Sequence, residues 1–239
     1  MKSLVAILCV GWVIASAAAQ QRGQPGAGEK ASVARFAVYG LPAVQALVEL
    51  SKAAKAPLGI VLDDNRLCRS EVSYSGTDVQ VASAVDSIVA QVPGYRWSRA
   101  RDAPILLIAP ATPRPVTARF LGLVDDRFGP GKGNLQMLLA GLEGHIISIL
   151  YRKGVAASVL ASTYEPVFEV PLMRNATVEQ IINQIAVVSK GTWVLRPLPR
   201  NLDDLAGDWN SPFAFYTDFK RLGPGVNDVC LPIVGKPRQ

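Results

Sequence analysis

The chain carries a single histidine, His145, and few of its residue groupings have spacings that chemistry requires. His145 lies on a run of helical apolar spacing, close to Leu138 and Leu142. A metal site needs further ligands at set intervals, and no Cys/His pattern supplies them. A serine triad assembles in space, so chain order does not rule out a hydrolase built on His145 and a loop Asp. No G-x-S-x-G elbow presents a nucleophile, however, and a partly buried structural histidine is the simpler reading. Acidic pairs stand at Asp63-Asp64, Asp125-Asp126 and Asp203-Asp204. Two carboxylates divide acid and base roles only where their surroundings separate their pKa values. Adjacent Asp residues in polar loops more commonly build turns. Gly129-Pro130-Gly131-Lys132-Gly133 precedes a helical run, where backbone amides could hold an anion. No Ser or Thr follows Lys132 as a nucleotide loop requires, so this reads as a flexible loop. Asn175-Ala176-Thr177 fits a glycosylation sequon, but Thr177 has a capping role to fill. These groupings assign no catalytic residue, metal ligand or cofactor site.

The compartment is easier to read. Lys2 precedes the apolar stretch Leu4–Ala15, and Ser16–Ala19 supplies small residues for cleavage, which is the layout of a signal peptide over 1–19. A membrane anchor needs about 20 apolar residues, and this stretch is shorter. Cys9, inside that stretch, is a poor site for a lipid. The mature chain is therefore expected to be periplasmic or secreted, with no membrane span after cleavage. Residues 20–34 are Gly/Gln-rich and read as flexible. The formal net charge of +6, to which Lys2 contributes one, is scattered over the chain, with Arg96/Arg99/Arg101 and Arg114/Arg119 the nearest to clusters. That pattern reads as a solvated surface rather than a nucleic-acid face. Cys68 and Cys230 remain as an even pair, which an oxidising compartment favours as a disulfide; two separate buried thiols are the alternative.

What positions these residues is a phrase the chain states twice. Val72–Trp97 and Phe168–Trp193 each read as an extended segment, a polar helix start, an amphipathic helix, then a glycine shortly before Trp. Val178, Ile182 and Ile185 take the places of Val81, Val85 and Ile88. Such an echo sets architecture first, and it makes Trp97 and Trp193 structural anchors. The spacing predicts a strand over Arg35–Gly40, a helix over Leu41–Lys55, strands over Leu58–Leu62 and Glu71–Ser75, and a polar loop between them carrying Cys68. Thr77 with Gln80, and Thr177 with Gln180, fit the capping box. Pro93-Gly94 stops the first echoed helix, and Tyr95–Ser98 with Ile105–Ala109 form a hairpin.

Three prolines in Pro110–Pro115 mark a linker over 111–118. Beyond it, a strand is expected over Arg119–Val124, a helix over Asn134–Arg152 and a strand over Val155–Leu160. Met137 and Ile147 lie off the apolar stripe of the long helix, which predicts burial on two sides. The second echo closes with the strand Gly191–Leu195 and shows no counterpart of Ile105–Ala109. Residues 200–239 form an aromatic extension with Trp209, Phe213, Phe215, Tyr216 and Phe219, expected to wrap a groove or sheet edge. The fold class is α+β, with two related β-α-β-β-α-β modules over 35–110 and 119–199 and helices packed on small mixed sheets.

The run FAVYGLPAVQALVELSKAAKAPLGIVLD, then VSYSG, Ala84-Val85-x-x-Ile88-Val89, GYRW and ILLIAP, resembles the short N-terminal domain shared by bacterial secretins and TonB-dependent receptors. The resemblance covers Phe36–Pro110, and Phe168–Pro197 more loosely. Members usually precede a membrane β-barrel, and no array of alternating strands follows here. The resemblance implies a free-standing, non-enzymatic relative that docks to another protein of the cell envelope, with no cofactor and no catalytic residue. The alternatives are a small secreted hydrolase using His145 with a loop Asp, or a binder of anionic glycan.

Overall fold

Apolar residues on both faces of the short runs Leu58–Val61 and Thr192–Leu195 demand burial from two sides, and the architecture follows from that demand. The computed structural model describes residues 31–129, 131–151, 166–205, 212–217, 221–222 and 230. The expected signal peptide over 1–19, residues 20–30 of the start expected to be flexible, the strand expected at Val155–Leu160, Trp209 and Phe219 fall outside them. Residues 32–34 of that start are not a flexible lead but part of a strand, held by pairing such as Val33↔Val79. The first half runs β1 (Ser32–Pro42), α1 (Ala43–Ala54), β2 (Leu58–Val61), α2 (Arg66–Arg69), β3 (Glu71–Gln80), α3 (Val81–Val89), β4 (Tyr95–Arg99) and β5 (Leu106–Pro110). The second runs α4 (Pro115–Leu121), β6 (Val124–Phe128), β7 (Gly131–Gly133), α5 (Leu135–Tyr151), β8 (Phe168–Val170), β9 (Met173–Thr177), α6 (Val178–Ser189), β10 (Thr192–Leu195), β11 (Phe213–Tyr216) and β12 (Arg221–Leu222).

The fold is mixed α+β. One six-stranded sheet has the order β12-β11-β10-β2-β5-β4, and two-stranded ladders join β1 to β3, β6 to β9 and β7 to β8. Strand β2 sits between two parallel neighbours, β5 and β10. A single sheet therefore spans both halves. Its faces are sorted by alternation. Leu58, Ile60, Val194, Ala214 and Tyr216 join a core with α1 and α3, whereas Val61, Trp193, Leu195, Phe213 and Phe215 join a core with α4, α5 and α6. A buried polar junction also ties the halves: the Ser51 hydroxyl donates to the Ala56 carbonyl (2.6 Å) and meets Thr192 Oγ1, which accepts from Leu58 N–H at 3.3 Å.

Four local expectations are corrected. Strand β3 continues to Gln80, so Thr77 and Asp78 are strand residues and α3 begins without a side-chain cap. Pairing with β1 (Val33↔Val79, Ser32↔Gln80) outweighs the local capping signal. The capping box at Thr177–Gln180 does form, with both hydrogen bonds in place. Next, the end of the proline segment and the strand expected at Arg119–Val124 are replaced by α4. Pro115 is pre-set for the first helical turn, and Asp63, 51 residues away from Arg114, accepts from the Arg114 N–H and the Thr117 hydroxyl. Third, Met137 is 41% exposed, so α5 is not buried all round; its core stripe is Leu135, Leu138, Leu139, Leu142 and Ile146. Fourth, Gly131–Gly133 is not a free loop but β7, paired with β8.

The supposedly absent hairpin strand is also present. β11, drawn from the aromatic extension, lies antiparallel to β10 just as β5 lies antiparallel to β4. The long connection between Leu195 and Phe213, with its 3₁₀ turn at Leu202–Leu205, hides the pairing from a reading that looks for it immediately after Trp193.

Candidate functional site

Asn134 immediately precedes helix α5, its Oδ1 accepting from the Met137 N–H at 2.9 Å, and the exposed flank of the helix carries His145 over β6. The imidazole Nδ1 meets Asp125 Oδ2, and the ring stands edge-on to Phe128 with centroids 5.4 Å apart. Asp125 is buried; its Oδ1 accepts from Arg127 N–H at 2.9 Å. Oδ2 is enclosed and meets only the His145 ring among the described residues. His145 itself is 45% exposed, so it is not an interior histidine, and one acid of the Asp125-Asp126 pair is not a solvated turn residue.

A cleft of about 530 Å³ opens beside this pair, lined by Arg127, Phe128, Lys132, Met137, Leu138 and His145 and by glycines of β7 and α5. None of the lining residues carries a hydroxyl or a thiol. Among the described residues the dyad thus has a carboxylate to orient the ring and no hydroxyl or thiol lining the cleft beside it. Among the described residues no three His, Cys, Asp or Glu side chains gather as a metal cluster would.

A second cavity, of about 510 Å³, lies where the β4–β5 turn meets α4 and the start of α6. Gln180, already part of the capping box, donates from Nε2 to Asp102 Oδ2 at 2.7 Å and so links that turn to α6. Burial and then the charge of Asp102 push the Glu179 carboxyl above its ordinary value, with Arg101 opposing.

The remaining sequence-marked residues scatter. Asp63 caps α4. Partial burial pulls the Asp64 carboxyl upward, but hydrogen bonds from the Arg66 side chain and N–H (both 2.8 Å), the Arg66 charge and the Tyr95 hydroxyl outweigh it, and its pKa lies below the usual value. Asp203 and Asp204 belong to the 3₁₀ turn. Asn175 and Thr177 lie in β9, Asn175 with φ 49°. Cys68 and Cys230 stand at disulfide distance, their Cα atoms 5.7 Å apart across a separation of 162 residues.

The two tryptophans show how the echoed units are used. Trp97 Nε1 donates to Asp86 Oδ1 at 2.8 Å, and Trp193 Nε1 to Asn183 Oδ1 at 2.9 Å. Asp86 and Asn183 hold the same place relative to Val81 and Val178. Asp78 and Asn175, three residues before those valines, both adopt left-handed backbone (φ 51° and 49°). Val81 N–H donates to the Ala31 carbonyl and Val178 N–H to that of Leu123. The surroundings differ. Trp193 is fully buried, whereas Trp97 is partly buried and Asp86 exposed.

Backbone direction matters more. Hydrogen bonds Ala111 N–H to Gly94 and Ala100 N–H to Ile105 fix the pairing phase of β4 with β5. Residues 96 and 98 therefore turn their backbone groups toward β5, and Trp97 turns its N–H and C=O to the outer edge. By the same phase, set by Arg196 N–H to Pro212, Trp193 and Leu195 face outward from β10, where β2 pairs with them and Leu62 N–H reaches the Leu195 carbonyl at 2.9 Å. Among the described residues no strand lies beyond β4.

Sequence reading missed the cleft formed by Arg127 and Lys132 and the outward phase of Trp97. The first has no spacing signal, since its members come from β6, β7 and α5. The second becomes visible only when the hairpin register is known. The chain matches no protein-family model, no curated protein and no solved structure. Among the described residues no helix is long and apolar enough to cross a membrane.

Proposed function

We propose that this chain is an exported, non-catalytic binding module of the bacterial cell envelope that takes an extended segment of a partner protein along β4. One observation carries the reading. The outer edge of β10 is occupied by a strand of the chain itself, while the matching edge of β4 offers Trp97 N–H and C=O with no strand beside it among the described residues. Strand addition draws its affinity from such main-chain groups and its selectivity from alternate side chains. Here those side chains include the exposed Arg96 and the half-buried Trp97, which suit an acidic segment bearing an aromatic or aliphatic residue. The resemblance of Phe36–Pro110 to the docking domain of secretins and TonB-dependent receptors, and the signal-like start of the chain, support the same compartment and task.

The test places a photo-crosslinking residue at exposed Ser98 and compares two variants in envelope extract. Trp97→Ala removes the indole and keeps the N–H, whereas Trp97→Pro also removes the outward donor without touching the β4–β5 ladder. A discrete protein adduct that persists in Trp97→Ala and disappears in Trp97→Pro is expected. No discrete adduct, or one indifferent to proline, overturns the proposal.

A further inference from the structure

The cleft beside His145 holds more positive charge than the protein neutralises. Asp125 lies behind it, its oxygens taken by the His145 ring and the Arg127 N–H. Among the described residues neither the Arg127 guanidinium nor the Lys132 ammonium forms an ion pair, although both line the cleft. Glu169 stands opposite Lys132 in the β7–β8 ladder without closing a salt bridge to it. Arg174 stands directly opposite Arg127 in the β6–β9 ladder, and like charges in that position repel. Asp126 is exposed on the same strand, and no ion pair joins it to either cation. Across from the cations, Phe128, Met137 and Leu138 provide an apolar wall, with Met137 41% exposed.

We infer that this cleft is a binding site for an organic oxyanion, its phosphate or carboxylate head held by Arg127 and Lys132 and its apolar body laid on Met137 and Leu138. The Asp125–His145 contact sets the ring: Nδ1 faces the buried carboxylate, which leaves Nε2 for the cleft. In the doubly protonated ring both nitrogens donate, one to Asp125 and the other to the bound oxyanion. Guanidinium and ammonium donors to an oxyanion form the stronger class of hydrogen bond. A head placed between Arg127 and Lys132 also relieves the repulsion between Arg127 and Arg174. This site is separate from the β4 edge and does not depend on it.

The one histidine makes the test direct, because its ring resonances can belong to no other residue. Phenyl phosphate, benzoate, inorganic phosphate and acetate are titrated into the full-length protein at constant ionic strength, with the imidazole followed by NMR. Saturable His145 shifts are expected, with phenyl phosphate and benzoate tighter than phosphate and acetate; which head binds better separates the phosphate source from the carboxylate source. Arg127→Gln and Lys132→Gln, both at exposed positions, are each expected to weaken binding about tenfold, while Arg96→Gln on β4 leaves it unchanged. Shifts that grow linearly without saturation, or equal affinity in all three variants, overturn the inference.

Discussion

The units closing at Trp97 and at Trp193 share a backbone plan and differ in what lies against them. Each has a left-handed residue three before the helix, an indole bonded to the same helical position and a hairpin strand alongside. Around Trp193 these devices are sealed: the ring packs edge-on to Phe213 at 6.3 Å, and a Cβ at Gly59 would stand 2.6 Å from it. Around Trp97 the indole is only partly buried, and Asp78 and the acceptor Asp86 are exposed. Equal hydrogen bonds therefore carry unequal weight, because losing a partner is costly only where water cannot replace it. The lesson concerns reuse: one local motif serves as the interior of a sheet in one place and as its open margin in another.

The sharpest way to break this comparison is to delete the rings. Trp193→Ala is expected to cost about 3–5 kcal/mol of unfolding free energy, the range for a buried large ring. Trp97→Ala is expected to cost roughly 1 kcal/mol or less, as surface changes do. Matched urea titrations of the two variants check it, and equal losses would erase the distinction. Removing the acceptors follows. Asn183→Ala strands a buried indole N–H and is expected to cost about 1–3 kcal/mol, whereas Asp86→Ala changes stability by under about 0.5 kcal/mol. A smaller contrast lies at the helix starts: Thr177→Ala removes a working cap, for a loss of about 1 kcal/mol. Gln80→Ala removes none, and thermal melts should show no comparable drop.

The smallest contrast is in pH. Glu179 has a raised pKa in the folded chain, so its contribution to stability is complete below the ordinary glutamate value, about 4.3, and is lost as pH rises through the raised value. Glu179→Gln is therefore expected to gain stability relative to the parent at neutral pH and to match it in acid. Asp64 has a lowered pKa, so its contribution is present above the ordinary aspartate value and fades as pH falls through the lowered one. Asp64→Asn should accordingly lose stability at neutral pH and converge with the parent in acid. Denaturant midpoints measured from pH 3 to 7 resolve the two opposite slopes.

The pattern of caps and apolar spacings made much of the fold legible. The helices starting at Ala43 and Val178, the hairpin β4–β5 and the burial of Trp193 can be read from neighbours within a few residues. What escaped reading depended on distant partners. Gln80 stays in a strand because Ser32 lies opposite, α4 forms because Asp63 closes its first turn, and β11 belongs beside β10 although a long connection intervenes. The same division applies to the candidate sites. His145 stood out as the one imidazole, but nothing at its spacing from Asp125, Arg127 or Lys132 announced that β6, β7 and α5 converge there.

Parallel pairing of β2 with β10 has a consequence for the order in which the chain can fold. Leu58–Val61 is made early, yet Trp193, which covers Gly59, is made more than half a chain later. Contacts so distant in sequence are slow to form, because a long loop must close before they contribute anything. Until β10 arrives, a nascent first half exposes two open margins, at β4 and at β2, and the second is lined with apolar side chains. Unpaired margins of that kind invite association with other chains. A fragment ending at Pro110 is therefore expected to self-associate in sedimentation runs where the full chain does not, and adding a peptide that spans Thr192–Leu195 should reduce that association.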